Sequence, residues 1–239
     1  MLPVSSHARR RLLLLVLGSA LMPYPVRADG TSPPAEVISP AAPPAPARPA
    51  APAAGAIDKT KSYYLFFEQT IDAASMKALR KQLVTLVEAG VAEITIVMAS
   101  PGGLLFPALT TYSFIASLPA NIDTHAQGFV ASAATVLFLA GRRRSADRSA
   151  GFVFHPSLTT VQGSFNEQQM REQLAFMGDV QGSVARIYRE RTRLADADIE
   201  RFQRETVIYS AEQAHELDIV QTVEDLRIQG ERSKILFVE

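Results

Sequence analysis

The chain has 239 residues, of which 47% are hydrophobic, and this is enough for one folded domain with a single core. Its 24 basic and 24 acidic side chains balance, so electrostatic attraction gives no reason to expect nucleic acid as a partner. The absence of cysteine excludes a thiol nucleophile and a cysteine-ligated metal.

Residues 1–28 have the parts of an export signal in their usual order. Basic residues 9–11 precede an apolar stretch at 12–21, and a small-residue cleavage site follows at 26–28. We therefore expect an exported protein, periplasmic or secreted; an uncleaved signal that anchors it to the membrane is the alternative. Residues 29–56 are rich in Pro and Ala and are predicted to form an extended linker, so the folded domain spans residues 57–239.

Strand and helix patterns alternate from residue 57 onward. Residues 63–67 predict a strand, and a helix follows that begins after Asp72 and ends before Gly90. Residues 93–98 predict the next strand, the Ser100-Pro101-Gly102-Gly103 segment breaks the chain, and a second helix runs from 105 to 116. A further strand is predicted at 122–126. These repeated units predict an α/β layered fold with parallel strands.

The second half of the domain continues the pattern. An alanine-rich helix is predicted at 133–140, a solvated arginine loop at 142–144, and a strand at 151–155. A long helix around residues 170–187 carries one apolar stripe, which predicts self-association because little chain remains to cover it. The stripe consists of Met170, Leu174, Met177, Val180, Val184 and Ile187. Ser210 and Gln213 form a capping box that opens a last helix.

Three separated elements together suit acyl transfer: a glycine pair after a strand, Ser132 at the start of a helix, and His155 at the end of a strand. A serine hydroxyl needs a neighbouring base to take its proton, and the oxyanion needs backbone N–H donors. Ser132 is the candidate nucleophile and His155 the candidate base. The N–H of Ala133 at the helix N-terminus could supply one donor, and Gly103 or Gly102 the other.

These motifs resemble, in order and spacing, the proteolytic subunit of the Clp protease. The resemblance covers about residues 62–226 and rests on Ser100-Pro101-Gly102-Gly103, Gly128-x-x-Ala131-Ser132, Phe154-His155-Pro156 and Ser210-Ala211-x-x-Ala214. It implies a ClpP/crotonase-like fold of repeated ββα units with a protruding long helix. It also implies a serine endopeptidase with Ser132 and His155 as catalytic residues, an oxyanion hole at Gly103 and Ala133, and assembly into seven-membered rings.

The sequence departs from the family pattern in two places. Thr206, with Glu205 beside it, stands where the family carries the aspartate of its triad. The N-terminal segment through which the family meets its ATPase is replaced by the Pro/Ala linker. We therefore expect hydrolysis of peptides or unfolded protein segments without an ATPase partner, and a catalytically weak scaffold or binding protein of the same fold is the alternative.

The same residues admit other interpretations. Ser132 could be a plain helix cap, His155 a buried histidine and the glycine pair a simple turn. Thioester chemistry of the crotonase type is one alternative, but it does not require a serine–histidine pair. A serine–lysine peptidase is another, but no lysine lies in the segment that carries Ser132 and His155. His125 is predicted to be a satisfied core histidine and His215 an exposed one. No histidine pair has metal-site spacing, so no metal and no cofactor are expected.

Overall fold

The computed structural model describes residues 57–158 and 163–239. The export signal and linker predicted for residues 1–56 lie outside the described residues. The strands are β1 (Ser62–Phe67), β2 (Glu93–Ser100), β3 (Asn121–Ala131), β4 (Arg144–Ala146), β5 (Gly151–Phe154), β6 (Val207–Ser210), β7 (Thr222–Val223) and β8 (Ser233–Phe237). The α-helices are α1 (Ala73–Glu88), α2 (Leu105–Ser117), α3 (Ala133–Phe138), α4 (Glu167–Arg191), α5 (Asp196–Phe202) and α6 (Ala211–Glu216).

One sheet of eight strands organises the domain, with the order β6-β5-β3-β2-β1-β8, while β4 pairs with β3 and β7 pairs with β4. The pairing is parallel throughout, apart from the antiparallel pair β5 and β6. Parallel strands need crossover connections, and α1, α2 and α3 provide them between β1 and β4. The α/β fold predicted from the sequence is confirmed.

Local sequence signals explain where several helices begin. The Asp72 side chain accepts the N–H of Ser75, and Ser210 accepts that of Gln213, so both predicted caps are confirmed. Helix α1 ends as predicted, with Gly90 at a φ of 81° just past its C-cap. The buried side of α1, which includes Leu79 and Leu83, packs into the core of the domain.

The prediction of a solvated arginine loop at 142–144 is wrong for Arg144. This residue begins β4 and is only 3% exposed. Its guanidinium donates to the backbone carbonyls of Ile219, Arg191 and Asp218 at 2.9–3.0 Å. Burial lowers the pKa of Arg144 to about 10, which still leaves the side chain charged at neutral pH. The residue therefore fastens the end of α4 and the turn after α6 to the sheet.

The long helix α4 divides into two parts. Its C-terminal part contacts the body of the domain, where Ala185, Ile187 and Tyr188 are buried. Residues 167–176 are all exposed, and the apolar side chains of Met170, Leu174 and Phe176 are among them. The N-terminal part of the helix is therefore largely uncovered, although the ring of Phe176 lies 6.3 Å from that of Phe106 in α2. None of the helices in the described ranges is long and apolar enough to cross a membrane.

Candidate functional site

Two neighbouring strands bring Ser132 and His155 to the same edge of the sheet. Ser132 follows β3 directly and His155 follows β5, and β3 and β5 are hydrogen-bonded neighbours that run parallel. The N–H of Ser132 donates to the carbonyl of Val153 at 2.8 Å, which ties the serine to the strand that leads to His155. Both residues line one cavity of about 350 Å³. No hydrogen bond joins their side chains among the described contacts, and such bonds often tighten only when substrate binds.

The backbone of Ser132 makes a sharp turn from strand to helix. Its φ of 56° and ψ of −129° lie in a region that L-residues rarely adopt, and such a conformation costs on the order of 1–3 kcal/mol. The chain enters helix α3 immediately afterwards. A strained strand-to-helix turn of this kind exposes a serine hydroxyl at the N-terminus of the helix, where unpaired N–H groups collect.

The glycine pair packs directly against this turn. A Cβ atom on Gly102 would lie 2.4 Å from the carbonyl oxygen of Ala131 and 2.8 Å from the Cβ of Ser132. Gly103 forms a bridge with Ile71, in which Ile71 donates to Gly102 and Leu104 donates to Ile71, each at 2.7 Å. Neither of these bonds uses the N–H of Gly103. Since Gly103 and Ala133 both line the cavity, their N–H groups are the candidate oxyanion donors.

A backbone carbonyl orients the ring of His155. The Nδ1 atom lies 2.8 Å from the carbonyl oxygen of Pro156. A carbonyl oxygen can only accept, so this bond requires Nδ1 to carry the proton. In the neutral ring Nε2 is then the unprotonated nitrogen, and this is the form that a general base needs.

The third position of the expected triad has no carboxylate that reaches His155 in the described contacts. Glu205 is exposed and forms a salt bridge with Arg201. Thr206 is also exposed, but the antiparallel register pairs Phe154 with Val207, so Thr206 is the next residue opposite His155. The described lining of the cavity contains no charged side chain.

The walls of the cavity combine apolar side chains, three of them aromatic, with uncharged polar side chains. Phe154 stacks on Phe202 with ring centroids 4.4 Å apart, and Tyr188 packs edge-on against Phe154 at 5.4 Å. Neither Tyr188 nor Phe202 was among the site residues predicted from the sequence. Tyr188 does continue the helical spacing of Val184, so that spacing was a usable signal, whereas Phe202 enters through α5, which the sequence patterns did not predict.

A complete hydrogen-bonded Ser–His–Asp group lies elsewhere on the sheet. Ser145 Oγ is 2.8 Å from Nδ1 of His125, and Nε2 of His125 is 3.0 Å from Asp147. His125 is only 1% exposed and both nitrogens of its ring are already hydrogen-bonded within the protein, although His125 and Ser145 also border a second cavity of about 550 Å³. Asp147 also accepts the N–H of Leu226 at 2.8 Å. These hydrogen bonds therefore join β3, β4 and the C-terminal segment. The prediction that His125 is a satisfied core histidine is confirmed.

The remaining candidate residue from the sequence, His215, does not belong to the cavity of Ser132 and His155. His215 is exposed on α6, as predicted. Within the described ranges no group of three or more His, Asp or Glu side chains could hold a metal ion.

Comparison with known protein families shows which family the chain belongs to. The family model for Clp protease matches residues 57–227, which is well over half of the chain. The chain therefore belongs to the Clp protease family, and a peptidase class of function follows from that membership. No curated protein matches the chain significantly.

The packing of Gly102 leads to a prediction about stability. We expect Gly102→Ala to lower the free energy of unfolding by at least about 2 kcal/mol, because φ is +87° and the added methyl would overlap the backbone of Ala131. The matched control is Gly178→Ala on the exposed surface of α4, where a Cβ meets nothing within 4 Å. Higher helix propensity should raise the stability of this control by up to about 1 kcal/mol. Urea unfolding measures both; equal stability of Gly102→Ala and the natural chain would contradict the packing.

Proposed function

We propose that the chain is a serine-type endopeptidase that cleaves peptides or unfolded protein segments through an acyl-enzyme, without an ATPase partner. One observation carries this proposal: Ser132 and His155 line the same cavity as the two candidate N–H donors, Ala133 and Gly103. Family membership supports the peptidase class. The strained turn at Ser132 supports a reactive role, because a plain helix cap would not require a positive φ.

The proposed reaction begins when Ser132 Oγ attacks the scissile carbonyl carbon and Nε2 of His155 takes the hydroxyl proton. The carbonyl oxygen becomes an oxyanion that accepts from the N–H groups of Ala133 and Gly103. As the C–N bond breaks, the imidazolium gives its proton to the leaving amine, and the acyl group remains on Ser132. Water then attacks the ester carbonyl carbon while His155 takes the proton of the water, and as the ester C–O bond breaks the imidazolium returns a proton to Ser132 Oγ.

The surroundings of the cavity support an extended peptide as substrate. Its walls carry no charge in their described part, which favours uncharged side chains beside the scissile bond. Leu104, the extended residue between the glycine pair and α2, lines the cavity, and an extended peptide could pair with the backbone at this point. The proposal of an exported enzyme rests on residues 1–28, and the absence of an ATPase partner rests on the linker that follows them.

Variants at the third triad position test the mechanism. In serine proteases, disabling the aspartate lowers turnover about 10⁴-fold, so the natural chain should be slow. We expect Thr206→Asp to raise kcat at neutral pH by at least about 10-fold, because residue 206 is opposite His155 in the register. Thr206→Asn is the matched uncharged control and should not raise kcat. Glu205→Ala should stay within about 2-fold, because Glu205 pairs with Arg201.

Hydrolysis of a fluorogenic peptide by the full chain measures these effects, with Ser132→Ala as zero. If neither the natural chain nor Thr206→Asp exceeds that zero, the peptidase is excluded and the scaffold alternative stands. A large loss of activity in Glu205→Ala would instead show that Glu205 supplies the missing charge.

We also propose that the chain forms a homo-oligomer through the exposed N-terminal part of α4. The side chains of Met170 and Leu174 support this, because they are exposed and four residues apart, and therefore lie on one face of the helix. Leu174→Lys should shift the full chain toward monomer in sedimentation velocity at micromolar concentration. Glu172→Gln adds the same unit of charge to the same helix and should leave the distribution unchanged. A natural chain that sediments only as monomer would contradict the proposal.

A further inference from the structure

The carbonyl group of Ser132 is held by two hydrogen bonds from one residue. The backbone N–H of Thr135 donates to the Ser132 oxygen at 2.9 Å, and the Thr135 hydroxyl donates to the same oxygen at 2.7 Å. A backbone turn needs only the first of these bonds. The second is a side-chain contribution that alanine, valine or leucine at position 135 could not make.

The anchored carbonyl determines where the N–H of Ala133 points. The carbonyl of Ser132 and the N–H of Ala133 belong to one planar peptide unit, and in a trans peptide these two groups point in opposite directions. Thr135 therefore holds one side of this peptide unit while the other side presents its N–H. Since Ala133 lines the cavity beside Ser132, that N–H is available there for an oxyanion.

Tyr188 of α4 completes the arrangement. Its hydroxyl lies 2.8 Å from Thr135 Oγ1. Because the only hydrogen of the Thr135 hydroxyl is used on Ser132, Tyr188 must be the donor of this bond. Burial raises the pKa of Tyr188 to about 12, so the phenol keeps its proton at neutral pH. The same ring packs against Phe154, the residue before His155.

We propose that Thr135 and Tyr188 are positioning residues for hydrolysis, which hold the Ser132–Ala133 peptide so that its N–H donates to the oxyanion. This inference rests on the proposed function. It adds to the Ser132–His155 pair a series of hydrogen bonds that runs from Tyr188 in α4 through Thr135 in α3 to the Ser132–Ala133 peptide unit. These hydrogen bonds act on the geometry of the oxyanion hole and involve no reacting atom.

Substitutions that remove single hydroxyl groups test the inference in the full chain. Removal of one oxyanion donor costs about 10²–10³ in kcat, so we expect misalignment in Thr135→Val to lower kcat by about 10- to 100-fold, with KM within about 2-fold. Thr135→Ser restores the hydroxyl and should recover kcat to within about 3-fold. Tyr188→Phe should lower kcat by about 3- to 10-fold, because Thr135 keeps its own two bonds.

The matched control is Thr124→Val. Thr124 is also buried, and its hydroxyl donates at 2.8 Å to the carbonyl of Phe138 at the other end of α3. This variant loses an equivalent buried hydrogen bond to the same helix without touching Ser132. Its kcat should therefore stay within about 2-fold of the natural value, whatever its thermal stability.

A peptide aldehyde provides a readout that a structural role would not change. Ser132 Oγ adds to the aldehyde carbon, His155 takes the hydroxyl proton, and the aldehyde oxygen becomes an oxyanion in the hole. The affinity of Thr135→Val for the aldehyde should fall by the same factor as kcat/KM, while its affinity for the corresponding peptide alcohol stays unchanged.

Two results would overturn the inference while the natural chain remains an active peptidase: unchanged kcat and aldehyde affinity in Thr135→Val, or an equal loss in Thr124→Val. A natural chain no more active than Ser132→Ala would overturn the proposed function as well. The two failures are therefore distinguishable.

Discussion

The turn at Ser132 is the constraint on which the site depends. A side chain held at a φ of 56° is unfavourable, so the surrounding structure must stabilise it. The N–H of Ser132 is bound by Val153, its carbonyl is bound by Thr135, and Gly102 leaves the space that the turn occupies. These contacts come from β5, α3 and the segment after β2. Strands β5, β3 and β2 are neighbours in the sheet, so the chain segments that follow β3 and β2 lie beside β5. The fold in this way determines the geometry of the Ser132–Ala133 peptide unit.

The two serine–histidine pairs of the domain show why hydrogen bonds alone do not define an active site. Ser145, His125 and Asp147 form a complete hydrogen-bonded group, and Ser145 and His125 border a second cavity, but the imidazole is almost completely buried and Ser145 lies within β4 rather than at a helix N-terminus. Ser132 and His155 lack a bound carboxylate among the described contacts, but they have a cavity, a helix N-terminus and the glycine pair. In the proposed mechanism the carbonyl of Pro156 selects the tautomer that a carboxylate would select, but without its negative charge.

Local patterns in the sequence were enough to predict the alternating strands and helices, the caps at Asp72 and Ser210, and the elements that carry Ser132 and His155. Features that depend on distant parts of the chain were missed. Strand β8 pairs with β1 from the far end of the sequence, and Arg144 is buried because its carbonyl partners lie at 191, 218 and 219. The bond between Thr135 and Tyr188 spans 53 positions, and the φ of Ser132 depends on its tertiary neighbours. Composition and periodicity contain no signal for such contacts.

The central claim is that Ser132, and not the more completely hydrogen-bonded Ser145, is the nucleophile. The most direct measurement is to treat the full chain with a fluorophosphonate, from which an activated serine Oγ displaces fluoride, and to locate the adduct by peptide mass spectrometry. We expect an adduct on Ser132 that disappears in Ser132→Ala, with Ser145 unmodified in both proteins. An adduct on Ser145, or undiminished modification of the Ser132→Ala variant, would contradict the central claim.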